Sequence, residues 1–454
     1  MHLDPVVLSR IQFAFTLSFH ILFPTLTIGL ALYLLAWEIA WLKTRRIIYY
    51  QLCRFWTKIF ALAFGMGVVS GIVLSYEFGT NFSRFSEIAG NVLGPLMSYE
   101  VMTAFFLEAG FLGVMLFGWK RVPPAVHLFS TAMVAIGTLL SAFWILAANS
   151  WMQTPVGYSL NNGIFSVANW LHVIFNPSFP YRFMHMVVAS LLSSSFLIAG
   201  IGAWYLIKQR HLELARATFS LAIGATLLLA PLQLLLGDMH GLNTFKYQTL
   251  KVSAMEGRWE TERSAPLTLF AIPDPAQETN HYAIEIPKLG SIILTHELNG
   301  EIKGLKSVPK EDRPYVPIVF YSFRVMVGIG VLFILTAFTA QYLRMRKKLF
   351  TSSRFWRWCV LISPLGFVAV VTGWFTTETG RQPWIIYGLL RTRDAASILP
   401  ASSVFITLIA FMVLYLTLLG TFIFYLLHLV RKGPEEVSHT DKPDRLASWL
   451  EDKP

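Results

Sequence analysis

Residues 403–430 read SVFITLIAFMVLYLTLLGTFIFYLLHLV, a run without a single Asp, Glu, Lys or Arg. A helix needs roughly 20 apolar residues to cross about 30 Å of hydrocarbon, and this run exceeds that length. Arg431 and Lys432 follow at once, so the run ends on a basic flank. No soluble core hides an uninterrupted stretch of this size. Lipid must cover it.

The same pattern recurs along the chain. Further apolar spans fall at about 15–41, 55–79, 93–118, 126–150, 184–207, 217–238, 318–343 and 357–378. The reading is therefore an all-α integral membrane protein with about nine transmembrane helices and one long extracytoplasmic loop. Composition agrees, because 55% of the 454 residues are hydrophobic and only 14% are charged. Soluble domains carry about 25% charged residues. Mean hydropathy is +0.55. Aromatic residues reach 15%, with 14 Trp, as expected where rings sit at headgroup level or wall a cofactor.

A net charge of +11 raises the question of nucleic acid, but most of the excess sits in short connections between spans. Lys43, Arg45, Arg46 and Arg54 follow the first span, Lys120 and Arg121 the third, and Lys208, Arg210 and Arg216 the fifth. Arg344, Arg346, Lys347, Lys348, Arg354 and Arg357 follow the seventh. Every second connection is thus basic, which places those ends in the cytoplasm and the N-terminus outside. Nucleic acid is excluded as a partner, and membrane lipid takes its place. The N-terminal residues lack the pattern of a cleaved signal peptide, so the first span is expected to remain as an anchor. Cys53 and Cys359 match no metal or redox spacing.

Domain organisation follows. Residues 1–238 hold spans one to six, 239–316 form the loop, 317–432 hold spans seven to nine, and 433–454 are a polar cytoplasmic tail. The loop is polar and nearly charge-balanced, yet Trp259, Tyr282 and several Ile residues argue for a folded binding element.

Ionisable groups inside membrane helices are costly and are candidates for function. Given the orientation, His20, His185, Met326 and Glu378 come from different spans and fall in one outer layer. Histidine, methionine and carboxylate are all haem-ligand types. A lone intramembrane His is more often a packing residue, and Met a gap filler, so the residues alone leave both readings open. Glu100 and Glu108, in YEVMTAFFLEAGFLG, are a little over two helical turns and about 12 Å apart. With Ser141 on the next span they suggest a ladder for protons; structural pairing is the alternative. In GWFTTETGRQPW, residues 373–384, Trp374 and Glu378 lie one turn apart, and Arg381 stands ready to offset the acid. Gly380 and Pro383 end that helix.

These stretches, with LSRIQFAFTLSFHILFP around His20, resemble subunit I of cytochrome bd-type quinol oxidases. The resemblance runs through SAFWILAANSWMQTP, KVSAMEGRWET and YSFRVMVG and covers nearly the whole chain in order. It implies a nine-helix haem-containing subunit of a terminal respiratory oxidase in the bacterial cytoplasmic (inner) membrane. Such an enzyme oxidises quinol, ubiquinol or menaquinol, on the outer side. It reduces O2 to water with cytoplasmic protons and builds proton motive force without copper or pumping. Implied partners are subunit II and, as an optional addition, a small accessory single-helix subunit.

Residue by residue, the resemblance implies that His185 and Met326 hold a low-spin haem b. His20 and Glu378 would hold two high-spin haems, one a haem b and the other haem d or a third haem b. Lys251 and Glu256 match quinol-binding positions, and Glu100, Glu108 and Ser141 match the proton path. Arg324, Trp374 and Arg381 fall in the haem environment. Lys310 leads almost directly to Tyr315 and the seventh span, so the chain resembles the short-loop branch that includes the cyanide-insensitive oxidases. Two rival classes are a low-spin membrane cytochrome b relay and a proton-coupled secondary transporter. The absence of a strong internal repeat weighs against the transporter.

Overall fold

A computed structural model describes residues 4–435. Among the described residues nine helices are long and apolar enough to cross a membrane. They are α1 Pro5–Thr44, α2 Ile47–Thr80, α3 Ser83–Phe117, α4 Pro124–Gln153 and α5 Phe179–Lys208. α6 Leu212–Tyr247, α7 Val316–Met345, α8 Ser353–Thr379 and α9 Ala401–Lys432 complete the set. Successive helices run in opposite directions, so one end of the bundle carries the long loop and the other the basic connections.

The helices overrun the spans read from hydropathy, because helical hydrogen bonding does not stop where lipid stops. Asp4 caps α1 by accepting from Val6 N at 2.9 Å, and Pro5 follows it at the first helical position. α6 is the clearest case, since it runs on to Tyr247 and the loop begins at residue 248, not 239. Its last turns read as polar loop in the sequence but are held against protein. Asn243 donates to Pro177 O at 3.0 Å and accepts from Ser178 Oγ at 3.0 Å. Most of the polar tail, residues 436–454, lies outside the described residues.

α1 and α5 are the most buried spans, and α3 and α9 the least. Buried Ser190, Ser193 and Ser195 line α5, each returning its hydroxyl to a carbonyl of its own helix. Small residues let helices approach where no hydrophobic drive exists between them and lipid. Aromatic rings fill the remaining space: Phe196 of α5 stacks on Phe333 of α7 at 3.8 Å. Such a pair contributes roughly 0.5–1.5 kcal/mol beyond its buried area. α8 is interrupted at Ser363–Pro364, as proline requires.

Between α4 and α5 a hairpin pairs β1 Tyr158–Asn161 with β2 Ile164–Val167. Asn162 and Gly163 both take positive φ in its turn, the sequence chemistry of a type I′ hairpin. The long loop is folded. It holds a short helix, Thr249–Glu256, and short strands β3 Glu262–Arg263 and β6 Glu301–Ile302. A second hairpin pairs β4 Leu267–Asp274 with β5 Thr279–Ile286. Val252, Trp259, Ala271 and Leu305 form its small core, resting on Val319 and Phe320 of α7. A last pair, β7 Trp384–Ile386 with β8 Leu390–Arg391, follows α8 at the same end.

Candidate functional site

Eight α-helical steps of about 100° would leave Glu108 about 80° around α3 from Glu100. The helix corrects this. Val101–Phe105 form a π-turn, with Phe106 N bonded to Val101 O. A turn closed by i→i+5 bonds takes up one extra residue, so eight steps there cover about the angle of seven. Both acids consequently face α4. Ser141 Oγ donates to Glu100 Oε1 at 2.7 Å, and Glu108 is buried against Gly137, one turn before Ser141. A methyl on Gly137 would stand 2.5 Å from Glu108 Cγ, so only glycine admits this acid.

Around Glu378 the loop end of α4, the end of α8 and the loop helix meet. Arg381 Nη2 pairs with Glu378 Oε2 at 2.5 Å. Asn149 and Gln153, one turn apart on α4, both donate to Glu378 Oε1, at 3.0 and 3.1 Å. Arg182 of α5 donates to Asn149 Oδ1 at 3.2 Å. Lys251 Nζ reaches Gln153 Oε1 at 2.6 Å. Burial pushes the Lys251 ammonium well below the usual lysine range, and Arg182 adds to this while Glu378 opposes it.

Glu256, on the same loop helix as Lys251, faces elsewhere. Its Oε2 stands 3.8 Å from Arg324 Nη2 and has no hydrogen-bond partner among the described residues. Burial pushes its carboxyl up, against the opposing pull of Arg324 and Arg258. Arg324 donates to the carbonyls of Met255, Leu269 and Thr268 and lies over the Phe320 ring at 3.3 Å. It pins the loop to α7. Lys251 and Glu256 are both buried, so neither offers itself on the open face of the loop. Two cavities, of about 470 and 190 Å³, meet there at Tyr247 and Tyr387.

Of the remaining candidates, His20 Nδ1 contacts Ser70 Oγ at 2.9 Å, and His185 touches Gln233 at 3.2 Å. Trp374 packs with Leu146, Ala147 and Phe179. Glycine faces three of the possible ligands from the neighbouring helix. A Cβ on Gly71 would lie 3.2 Å from His20 Cε1, on Gly237 3.3 Å from His185 Cε1, and on Gly373 2.9 Å from Met326 Sδ. Each donor side chain thus packs directly against a glycine, which admits it where a larger residue would crowd it. Arg182 Nε and Arg381 Nε and Nη1 are buried with no hydrogen-bond partner among the described residues. Among those residues no three His, Cys, Asp or Glu side chains converge as a protein-only metal site. Donors that no other protein ligand joins, with unmet cationic N–H groups nearby, suit a planar macrocycle that brings its own ring nitrogens and carboxylates. The residues fit haem.

Sequence reading passed over several members of this region. Asn149 and Gln153 lie inside the quoted stretch SAFWILAANSWMQTP but carry no charge to draw notice. His240 packs edge-on against His185, with centroids 5.6 Å apart, in the part of α6 read as loop. Two intramembrane acids were also missed, although their position alone marks them. Glu38 Oε1 contacts His127 Nδ1 at 2.6 Å, and its Oε2 accepts from Thr131 at 2.6 Å. Glu77 Oε1 accepts from Thr16 at 2.8 Å and Gln12 at 3.3 Å.

Comparison with known proteins gives a consistent result. The sequence profile described as cytochrome bd terminal oxidase subunit I matches residues 8–434. The chain is 35% identical to cytochrome bd ubiquinol oxidase subunit 1 of Bacillus subtilis (strain 168), over 97% of each chain. It is 32% identical to cytochrome bd-II ubiquinol oxidase subunit 1 of Escherichia coli (strain K12), over 95% of this chain and 97% of that one. The bd oxidase structure from Geobacillus thermodenitrificans superposes with a TM-score of 0.89 at 32% identity, covering 95% of this chain and 99% of the other.

Proposed function

The chain belongs to the cytochrome bd terminal oxidase subunit I family, and we propose from that membership how its residues divide the work. It is a haem-bearing subunit of a multi-pass membrane quinol oxidase, an oxidoreductase of the respiratory chain. Its partners are subunit II and quinol, with a small accessory single-helix subunit as an optional third. The basic end faces the cytoplasm of a bacterium, and the N-terminus and the loop face outward.

Lys251 and Glu256 hydrogen-bond the quinol oxygens, ubiquinol or menaquinol, and Glu256 passes a proton outward. His185 and Met326 hold a low-spin haem b. His20 and Glu378 hold two high-spin haems, one of type b and the other haem d or a third haem b. Bound haem would supply electron transfer and oxygen reduction. Arg182 and Arg381 direct their unmet N–H groups to the haem carboxylates, and Trp374 borders the site. Arg324 seats the loop on the helix that carries Met326. Glu108, then Glu100 with Ser141, deliver protons from the cytoplasmic side. Because quinol protons leave on the opposite side, charge separates without a pump, at about 2.3 kcal/mol per charge for each 100 mV.

One observation carries the haem reading: Arg182 Nε and Arg381 Nε and Nη1 are buried beside Glu378 with no hydrogen-bond partner among the described residues, which leaves cationic N–H groups to meet a bound group's carboxylates. The test is the absorption spectrum of the purified two-subunit complex, oxidised, reduced and reduced with carbon monoxide. Low-spin and high-spin bands with a carbon monoxide response are expected. Low-spin bands alone would mean an electron relay, and a colourless protein would mean a transporter.

A further inference from the structure

Gln153 is the last residue of α4 and only 1% exposed, yet it bonds to two other parts of the chain. Its Oε1 accepts from Lys251 Nζ at 2.6 Å and from Gln248 Nε2 at 3.0 Å, both near the start of the loop. Its Nε2 donates to Glu378 Oε1 at 3.1 Å, at the end of α8. A carboxamide is acceptor at one end and donor at the other, joined through a conjugated bond. In a buried, low-dielectric site, hydrogen bonds in series polarise one another. A stronger donor on Oε1 therefore strengthens donation from Nε2.

We infer that Gln153 couples the quinol site at Lys251 to the haem held by Glu378, acting as a positioning residue between them. This rests on the assignment of Lys251 to quinol and Glu378 to a high-spin haem. A quinol oxygen that takes a hydrogen bond from Lys251 draws that group away from Gln153 Oε1. Donation to Glu378 weakens, and electron density returns to the ligand oxygen. The effect is reciprocal, since a coupling free energy belongs to both sites. Asn149, itself held by Arg182, gives Glu378 Oε1 a second donor at 3.0 Å, and Arg381 pairs with Oε2, so the carboxylate keeps its place while the Gln153 bond varies. A cavity of about 190 Å³ walled by Tyr247 and Tyr387 also borders Gln153, so this end of α4 lies next to the loop's open side.

The test uses the purified two-subunit complex and an alkyl-hydroxyquinoline N-oxide as a redox-inert quinol analogue. In the unmodified protein, saturating analogue should shift the band and midpoint potential of one high-spin haem. Gln153→Met keeps the length of the side chain but neither hydrogen bond. It should lose the shift, retain haem content and carbon monoxide stoichiometry, and tighten analogue binding by roughly 2- to 12-fold, the range for one hydrogen bond, because Lys251 no longer gives up a bond to Gln153 when it turns to the analogue. Gln153→Glu keeps an acceptor for Lys251 but no amide donor for Glu378. It should hold analogue affinity and still lose the shift, which decides the matter if Gln153→Met fails to assemble. A shift that persists in both variants, or is absent from the unmodified protein, overturns the coupling. Unchanged analogue binding in Lys251→Ala, or a full haem complement in Glu378→Ala, would instead remove the site assignment and the coupling with it.

Discussion

Ser141 on α4 donates its hydroxyl to Glu100 on α3 at 2.7 Å, so the acid nearer the loop end is fixed across a helix interface. Glu108 has no such donor from α4; the residue opposite it is Gly137. One acid is thus held by a hydroxyl and the other by packing alone, the arrangement on which the proposed relay from Glu108 to Glu100 rests.

Glu108→Gln keeps shape and polarity but removes the exchangeable acid proton. Turnover should fall by about two orders of magnitude or more, the scale of acid–base assistance, while haem content holds. Glu108→Asp should retain more activity, and Ser141→Ala should slow turnover only roughly 2- to 12-fold, as one hydrogen bond predicts. Oxygen consumption per haem, with internal and external pH followed in reconstituted vesicles, checks all three. Undiminished charge separation in Glu108→Gln would exclude it as a relay.

Met326→Leu and His185→Ala should selectively remove the low-spin haem, since Leu keeps the bulk of Met but cannot ligate iron. Gly373→Ala reaches the same end by another route, because its methyl would press on Met326 Sδ from 2.9 Å. Reduced-minus-oxidised spectra decide. A normal low-spin band in both ligand variants would refute the pair, whereas His20→Ala should disturb a high-spin band and abolish oxygen reduction.

Lys251→Ala and Glu256→Ala should impair quinol oxidation with every haem band intact. Comparing quinol-driven turnover with haem reduction by a small chemical reductant separates substrate entry from later steps. Equal loss by both routes would make the loop helix a structural element.

The loop should also respond to acid. Lys310 and Arg313 hold the Glu278 carboxyl below the ordinary glutamate value of 4.5. A depressed folded pKa gives stability that is complete above the unfolded value and fades as pH falls through the folded one. Protease cleavage of the loop in the intact complex should therefore rise below about pH 4.5. Glu278→Gln should cleave readily at neutral pH as well. A loop equally resistant at both pH values in both proteins would show that this cluster does not hold it.

Hydropathy made the bundle legible, because an apolar run such as 403–430 has one stable fate in water and lipid. It could not show where helices continue past lipid. Asn243 looks like loop and is helical because Pro177 and Ser178 satisfy its side chain. Charged site residues were visible for the same reason that they are costly, as with Glu100, Glu108 and Glu378. Asn149 and Gln153 were not, since an amide costs less to bury and its partners lie far along the chain. Glu38 and Glu77 were visible in principle and were passed over. The hairpin at Asn162–Gly163 likewise had its turn signal in plain view.

The π-turn of α3 sets how much the chain may vary in length between its two acids. Removing one residue from Val101–Phe105 lets the segment relax to an ordinary α-helix, with the acids seven positions apart and about 20° out of line. Both would still look toward Ser141 and Gly137. The same deletion in a regular stretch of α3 would swing everything beyond it by about 100° and carry Glu108 off that face. The bulge thus works as slack in the register, a place where the protein can lose a residue and keep its wiring.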